Sequence, residues 1–447
     1  MPRAPTSIAH AQRTAFYSVA GGQTCDVGSL LSGDDVEFEV QRVQSYGGFV
    51  LHAGVLRRGS LAMGQELSCK VDIARRKKVA PNHTLTHVLN AALLAVLGNG
   101  VDQKGSDCDD QRLRFDFSYG KALQTAQLEQ VEALVRQSVA SEQGVHSAVV
   151  PLAQAMKIGG LRAVFGESYP DPVRVVTVGP SVAEVLADPA KSHGPSSSIE
   201  LCGGTHISNT REAADFALVG EEAVAKGIRR IVGLTGEAAV QAITQGETLR
   251  SQVDRLSLVQ EDATADVLEA ARAELARLRT SVDESVVSAH LKAQLRETLA
   301  TRDKDVQKML KGFAQSRIDI AASMALENAA AASASGGRFV VLELDGLDGK
   351  SLQTLVQKVA KAEPSLAVLA LSVDAPANKV FSFAAVPEEL QASLPANEWL
   401  NKALEPVGGK GGGKAASAQG SGAGVDAKAS VAAAKARAEA SLAAVGA

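Results

Sequence analysis

The sequence predicts an α+β protein built from several compact units. The chain has 447 residues, which is enough for two to four domains. Apolar residues make up 45% of it, and the hydrophobic period changes several times along the chain, from strand-like to helical and back. We therefore divide the chain into six segments, at residues 1–13, 14–80, 81–236, 237–335, 336–425 and 426–447.

Charge and cysteine content exclude several classes of protein. Lys and Arg number 46 against 50 Asp and Glu, a net charge of −4, so binding of nucleic acid would depend on local basic runs and not on overall charge. We find no signal peptide or membrane span. The four cysteines have no even spacing, so we expect no disulfide framework and we expect a reducing compartment. They are Cys25, Cys69, Cys108 and Cys202.

The compartment that we expect is the cytoplasm. An organelle is the alternative, because the first 25 residues lack acidic side chains and include Arg3 and Arg13, as transit peptides do. Strand-like sequence already begins near Thr14, so we assign only residues 1–13 to a leader.

The N-terminal third changes from strands to a helix. TAFYSVAGGQ, VEFEVQRV, GGFVLHAGVL and LSCKVDI alternate apolar runs with glycine turns, which predicts a small all-β unit over residues 14–73. From Pro81 onward, apolar residues recur at helical spacing up to Gly98. RLRFDFS, VRVVTV and IRRIVGL predict further strands, with a second helix around Leu128 to Ser138, so an α+β core extends to about Gly236.

The sequence after Gly236 is helical, charged and poor in glycine. Heptad-like seams predict coiled helices, either an intramolecular hairpin or a dimer interface; they comprise Leu268, Ala271, Leu275, Leu278 and Val282, then Leu295, Leu299, Val306, Leu310 and Phe313. The Ala/Ser run from Ala329 to Ser335 is interpreted as a linker.

Residues 337–406 predict a small α/β domain. Its strands are RFVVLELD, LAVLALSV and VFSFAAV, and its helix runs from Ser351 to Ala362. The glycine-rich segment from Gly408 to Gly422 is either a flexible linker or a phosphate-binding segment that uses Lys410 and Lys414. An Ala/Lys-rich tail helix follows at 426–447.

Two histidines, His83 and His87, lie four residues apart on the strongest helical pattern, so both imidazoles project from one face. Such a pair also arises by chance, but a second pair of ligand-type residues, Cys202 and His206, stands in ELCGGTH. The glycines there permit a tight backbone that turns both side chains toward one point. Together the four residues form a donor set typical of tetrahedral zinc.

The residue after the first histidine is Thr84. Metalloproteases with an HExxH motif have a glutamate there as general base, so a protease of that type is disfavoured. A metal with hydroxyl neighbours and no strong base suits hydrolysis of an activated ester better than of an amide.

Several runs of the sequence, in one order, resemble a known family. NHTLTH, VDQKGS, RLRFDFS, LRAVFGESYPDPVRVV, SSIELCGGTH and VAKGIRRIVGLTG closely resemble the editing domain of alanyl-tRNA synthetases, and most of all its eukaryotic cytosolic branch. FYSVAGGQ resembles the glycine-rich turn at the start of that domain, and GGKGGGKAASAQGSG is similar to the family's C-terminal DHHA1 domain. The resemblance implies an editing region with a β-rich part at 14–80 and a zinc-binding core at 81–236, a dimerising helical segment at 237–335 and a DHHA1-like domain at 336–425.

The function that this resemblance implies is hydrolysis of serine, or of glycine, wrongly esterified to the alanine tRNA. A synthetase pocket for alanine cannot strongly reject an isostere that adds a hydroxyl, so a second site must select for that hydroxyl. By motif position, zinc would be held by His83, His87, Cys202 and His206, and Thr86 and Gln103 would contact the serine side chain.

Further residues are assigned to supporting roles. We hypothesise that Asp116 in RFDFS orients a ligand histidine, with a solvent-facing position on an edge strand as the alternative. Basic residues near the site and in the C-terminal domain are expected to contact tRNA phosphates; they are Arg75, Arg76, Lys77, Lys78, Arg229, Arg230, Lys410 and Lys414.

Three functions follow as alternatives. The first is a zinc-dependent aminoacyl-tRNA deacylase that acts in trans. The second is the C-terminal part of an alanine–tRNA ligase that needs a separate class II catalytic polypeptide, because only thirteen residues precede Thr14. The third, a tRNA-binding dimeric scaffold with a structural metal, is disfavoured because it gives no reason for Thr86 and Gln103 at their positions.

Overall fold

A computed structural model describes residues 7–98, 100–163, 169–191, 197–256, 263–374, 378–423 and 427–443. It confirms the α+β prediction, with several separate sheets and helices packed on them. The chain forms two compact units: unit 1 comprises Met1–Leu258 and Arg272–Asp303, and unit 2 comprises Val259–Ala271 and Lys304–Ala447. All four cysteines are free. Among the described helices, none combines the length and apolar character needed to cross a bilayer.

Unit 1 begins with an antiparallel five-stranded sheet in the order β1-β4-β3-β2-β5. Its strands are β1 (Ser7–Ala11), β2 (Gly28–Ser32), β3 (Val36–Tyr46), β4 (Phe49–Arg58) and β5 (Ser68–Val71). Alternate residues of β3 point into the core, as period-2 patterning requires. Strand β1 lies in the segment that we assigned to a leader, and it pairs with β4.

The first predicted strand, TAFYSVAGGQ, is wrong. Residues 14–23 form turns and isolated bridges instead, and the segment ends in a turn where Gly21 and Gly22 both adopt positive φ angles.

The first helix, α1 (Ile73–Leu97), is longer than predicted. We placed its start at Pro81, but the side chain of Asp72 accepts a hydrogen bond from the backbone N–H of Arg75 and so caps the helix eight residues earlier. Pro81 lies inside the helix, where it removes one backbone donor. The basic run from Arg75 to Lys78 therefore lies in the first turns of α1 and not before it.

Two antiparallel sheets form the rest of the unit 1 core. One has the order β11-β12-β7-β6, and the other has the order β10-β9-β8. The strands are β6 (Gln103–Cys108), β7 (Leu113–Ser118), β8 (Val145–Val150), β9 (Val173–Val178), β10 (Ser198–Leu201), β11 (Phe216–Ala225) and β12 (Ile228–Thr235). The helices between them are α2 (Thr125–Ala140), α3 (Leu152–Ala155) and α4 (Val182–Ala187). Apolar faces of α1 and α2 share one core with β7 and β11, and this core holds α1 rigidly.

Three helices follow: α5 (Gly236–Arg255), α6 (Ala265–Glu284) and α7 (Ala289–Ala334). The Ala/Ser run is not a linker, since α7 continues through it to Ala334. Alanine has the highest helix propensity, and Ala321, Ala325 and Ala329 pack at four-residue spacing into the core of unit 2. The coiled-coil and dimer assignments stay predictions.

Unit 2 contains a sheet in the order β13-β14-β15-β17-β16, parallel only between its first two strands. Its elements are β13 (Phe339–Asp345), α8 (Gly349–Ala362), β14 (Ala367–Asp374), β15 (Lys379–Ala385), α9 (Ala396–Leu404), β16 (Lys410–Gly413), β17 (Ser417–Ala423) and α10 (Ala427–Ala443). The glycine-rich segment is therefore a β-hairpin and not a flexible linker. The tail helix α10 packs in the same core, and the indole N–H of Trp399 donates to the carbonyl of Ala438.

Candidate metal centre and cavity

The four residues singled out as metal ligands lie together in unit 1. His83 and His87 project from the buried face of α1, while Cys202 and His206 lie on the loop after β10. One ligand atom from each residue lies within 4.8 Å of all the others. Nε2 of His83 is 3.4 Å from Sγ of Cys202, and Nε2 of His206 is 3.3 Å from it. The cluster could therefore hold a metal ion.

Gln23 fixes the orientation of His83. Its Oε1 lies 2.6 Å from Nδ1 of His83 and also accepts from the backbone N–H of Thr205. Its amide nitrogen donates to the hydroxyl of Thr205 at 2.8 Å, so the oxygen must be the atom that faces the imidazole. Nδ1 of His83 is therefore the protonated nitrogen, and the lone pair of Nε2 faces the cluster.

Thr84 does the same for His206. Its hydroxyl donates to the carbonyl of Ala80 at 3.0 Å and lies 3.1 Å from Nδ1 of His206. Since the hydroxyl proton is used, Thr84 must accept from Nδ1–H, which leaves the lone pair of Nε2 toward Cys202.

His87 faces a carboxylate. Its Nε2 lies 3.5 Å from Oε2 of Glu200, and its Nδ1 is buried without a hydrogen-bond partner. A buried nitrogen with no partner is costly unless something binds it, so this atom supports the fit of a metal to the cluster.

Burial dominates the electrostatics of the cluster. It lowers the pKa of His83 and His206 well below the ordinary value and also lowers the pKa of His87. It raises the pKa of the Cys202 thiol to about 11. Burial alone would raise the pKa of Glu200, but His87 and Arg162 hold it below its ordinary value. Three neutral imidazoles and one thiol, which loses its proton when a metal binds, suit a soft divalent cation.

The loop that carries Cys202 depends on glycine. A Cβ added to Gly204 would lie 2.0 Å from Cε1 of His83, whereas one added to Gly203 would meet nothing within 4 Å. The guanidinium of Arg174 donates to the carbonyl of Gly204 at 2.6 Å and holds the loop against the cluster.

A cavity of about 690 Å³ opens beside the cluster. His83, His87 and Cys202 form part of its wall, as do both residues predicted to contact substrate, Thr86 and Gln103. The Thr86 hydroxyl donates to the carbonyl of Asn82 at 2.8 Å, so its oxygen can serve the cavity only as an acceptor. The amide nitrogen of Gln103 donates to the hydroxyl of Ser106 at 3.1 Å.

The hypothesis for Asp116 is wrong in both of its forms. Asp116 lies on β7, between β12 and β6, so it is not on an edge strand. Its carboxylate binds the Arg230 guanidinium through two contacts of 2.7 and 2.9 Å and not a ligand histidine. The groups that orient the imidazoles are Gln23, Thr84 and Glu200. All three stand in runs that the sequence analysis quotes, FYSVAGGQ, NHTLTH and ELCGGTH, and that was the available signal.

Four of the eight basic residues are bonded within the protein. Arg76 forms an ion pair with buried Asp26, and Arg75 donates to the carbonyl of Cys25 at 2.6 Å. Arg229 pairs with Glu221 at 2.5 Å, while Arg230 pairs with Asp116. The lysines of the set are exposed; they are Lys77, Lys78, Lys410 and Lys414.

Comparison with family models defines the class of domains. The model described as "Threonyl and Alanyl tRNA synthetase second additional domain" matches residues 173–232, the segment with Cys202 and His206. The DHHA1 domain matches residues 336–443, which includes the tail helix. The model "tRNA synthetases class II (A)" matches residues 10–75. The chain thus combines a second additional domain of the tRNA synthetase type, an editing-type domain, with a DHHA1 domain.

Whole-chain comparison gives the family. The cytoplasmic alanine–tRNA ligase of Bombyx mori is 37% identical over 414 residues, covering 91% of this chain and 42% of that protein. The mitochondrial alanine–tRNA ligase of Saccharomyces cerevisiae is 45% identical over 242 residues, which is 54% of this chain and 25% of that protein. The crystal structure of the C-Ala domain from Aquifex aeolicus alanyl-tRNA synthetase is 23% identical and covers 22% of this chain and 87% of that one, with a TM-score of 0.19.

The chain belongs to the alanyl-tRNA synthetase family. It spans about two fifths of the length of the curated relatives that match most of it.

Proposed function

We propose that this protein hydrolyses the ester bond between serine, or glycine, and the 3′ end of the alanine tRNA, with zinc bound at His83, His87, Cys202 and His206. The single observation that carries the proposal is that three residues of this cluster, His83, His87 and Cys202, line a cavity whose wall also includes Thr86 and Gln103. A structural zinc site needs no cavity beside it, whereas a hydrolytic site needs room for a substrate.

The donor set supports zinc in particular. Three imidazoles and a thiolate at this spacing match its preferred nitrogen and sulfur ligands. When bound, zinc supplies Lewis-acid chemistry toward an ester carbonyl or a water molecule.

The residues of the chain supply positioning and selectivity. Since Thr86 can only accept from a group in the cavity, it would accept a hydrogen bond from the side-chain hydroxyl of a seryl ester. An alanyl ester has no hydroxyl to offer, so it would leave that acceptor unsatisfied and bind less well. Gln103, on the facing strand β6, would hold the same end of the substrate.

Phosphate contacts would come from the exposed lysines. Lys77 and Lys78 lie on the first turns of α1, the helix that carries His83 and His87. Lys410 and Lys414 lie on and just after β16 of unit 2. Arg75, Arg76, Arg229 and Arg230 are weaker candidates because their guanidinium groups already bind protein acceptors.

A second candidate function is that of a part of an alanine–tRNA ligase. The observation in its favour is the length: the matched relatives carry the ligase name and are more than twice as long as the segment aligned here. Amino-acid activation would then require a class II domain on the same or on a separate polypeptide, and α6 and α7 would be the place to look for a homodimer contact. The cytoplasm is the compartment that we propose, with an organelle as the alternative.

The test is release of amino acid from charged tRNA. Purified protein is incubated with seryl-, glycyl- and alanyl-tRNA, with and without a chelator, and metal content is measured on the same sample. We expect serine to be released at least tenfold faster than alanine and the chelator to abolish release. Thr86→Val should keep the metal and reduce this preference severalfold. Absence of serine release from metal-loaded protein would refute the deacylase function.

A further inference from the structure

The two oxygens of Glu200 have separate environments. Oε1 accepts from Nε of Arg162 at 2.9 Å, from the amide of Asn90 at 3.3 Å and from the hydroxyl of Ser198 at 3.3 Å. Oε2 lies 3.5 Å from Nε2 of His87. One oxygen is therefore anchored by three donors, which leaves the other to face the imidazole.

Backbone hydrogen bonds place Arg162 beside Glu200. The N–H of Arg162 donates to the carbonyl of Ile199 at 2.9 Å, and the N–H of Leu201 donates to the carbonyl of Arg162 at 3.1 Å. Arg162 thus forms a one-residue parallel bridge with Glu200 on the edge of β10. Its guanidinium also donates to the hydroxyl of Ser198 at 2.5 Å. The position of this cation is set by the sheet and does not depend on a flexible side chain alone.

Removal of Arg162 would leave the Glu200 carboxylate with two neutral donors, Asn90 and Ser198, and without the cation that anchors it. The carboxylate is buried and lies in the wall of the cavity, next to the metal cluster. A buried carboxylate that loses its cationic partner is strongly destabilised, so without Arg162 a metal ion held by the neighbouring cluster would attract it. Arg162 therefore has two effects: it keeps Glu200 directed at His87, and it keeps Glu200 from competing as a ligand.

The three imidazoles of the cluster are held unequally. Neutral groups, Gln23 and Thr84, orient His83 and His206, whereas His87 faces a carboxylate. A carboxylate behind an imidazole fixes its tautomer and ring orientation and makes it a stronger metal ligand.

We propose that Arg162 is a positioning residue of the metal centre, which acts through Glu200 on His87. This inference rests on the proposed function only in so far as a metal binds the cluster, and it needs no tRNA. Neither ligand motif contains Arg162, which stands in the run LRAVFGESYPDPVRVV.

The experiment measures metal binding to the full chain. Wild type, Arg162→Met, Glu200→Gln and the double variant are titrated with Zn²⁺ against a chromophoric chelator, and with Co²⁺ to record the ligand-field spectrum. We expect Arg162→Met and Glu200→Gln each to lower zinc affinity about tenfold or more, and the double variant to lose little more than one single variant. The Co²⁺ spectrum of Arg162→Met should shift, because a displaced His87 or an added carboxylate changes the ligand geometry.

Two controls separate positioning from folding. Arg136→Met removes an arginine of unit 1 that pairs with Asp215 through contacts of 2.8 and 3.0 Å, away from the cavity, and should leave zinc affinity unchanged. Arg162→Lys keeps a cation beside Glu200 and should recover part of the affinity. Wild-type affinity and spectrum in Arg162→Met, or fully additive losses in the double variant, would overturn the proposal. Failure of wild type to release serine, with these metal results intact, would refute the deacylase function and leave this inference standing.

Discussion

Two glycine-containing segments of this protein look alike in sequence and serve different ends. The loop CGGTH in unit 1 brings a cysteine and a histidine to a buried polar cluster, where Gly204 touches the ring of His83. The run GGKGGGK in unit 2 forms a hairpin, where Gly411 and Gly420 let the strand backbones approach Leu400 of α9. In the first segment the absence of a Cβ at Gly204 makes room for the ring of His83, a candidate metal ligand. In the second segment the absence of a Cβ at Gly411 lets Leu400 pack against the hairpin.

The polar groups around each segment show which case applies. Beside Gly204, buried nitrogen and sulfur atoms converge, and one nitrogen, Nδ1 of His87, has no partner. Beside Gly411 lie a methyl group of Leu400 and the backbone of the paired strand β17. The unsatisfied nitrogen of His87 is consistent with a bound ion at the cluster, whereas the close apolar contact of Gly411 serves packing.

The largest effect is expected from Cys202→Ala. This change removes the only sulfur donor of the cluster and leaves its three imidazoles, so bound zinc should fall to a small fraction of one equivalent and serine release should fall at least 100-fold. Elemental analysis and the deacylation assay on one preparation measure both. As a control, Cys69→Ala changes a free cysteine outside the cluster and should alter neither quantity. If Cys202→Ala retained both metal and activity, the cluster would not be the active centre.

A smaller effect is expected from the substitution Gly204→Ala in the same loop. In Gly204→Ala the new methyl group would lie 2.0 Å from Cε1 of His83 and 2.9 Å from Oε1 of Gln23, so the ring must move. We expect zinc affinity to fall about tenfold, as it does when the support of a ligand is disturbed. Gly203→Ala is the matched control, since a Cβ there meets nothing within 4 Å. Equal metal affinity in both variants would mean that the loop adapts and that Gly204 has no part in the site.

Much of the fold was predictable because it is encoded locally. The apolar residues of α1 recur at helical spacing, and the central strand β14 of unit 2 is a nearly continuous apolar run. The start of α1 was missed because Pro81 looked like a first helical residue, while the actual cap, Asp72, lies nine residues earlier.

The candidate site was likewise predicted in part. Its four candidate ligands were predicted from two short motifs, each with its own spacing. Their supports could not be predicted from spacing, because Gln23 and Glu200 reach their histidines across 60 and 113 residues of sequence, a separation that only the folded chain closes. Asp116 was a plausible choice by type, but its register on β7 places it opposite Arg230. The sequence alone identified the candidate donor residues, but it did not show which distant residues would contact them.

The smallest effect of the series concerns the hairpin of unit 2. A Cβ on Gly411 would lie 2.2 Å from Cδ2 of Leu400 and 2.6 Å from the carbonyl oxygen of Gln419. Because one of these atoms is backbone, Gly411→Ala should destabilise unit 2 by about 1–3 kcal/mol, as overpacking does. On Gly412 a Cβ meets nothing within 4 Å, so Gly412→Ala serves as the control.

Trp399 makes this measurement specific to unit 2. It is the only tryptophan of the chain, is 1% exposed in the core of that unit, and precedes Leu400 on α9. Its fluorescence during urea unfolding should therefore show a lower midpoint for Gly411→Ala than for Gly412→Ala, while zinc content stays at the wild-type level in both. A loss of zinc from Gly411→Ala would break the contrast between the two segments, because it would show that the hairpin also supports the metal centre.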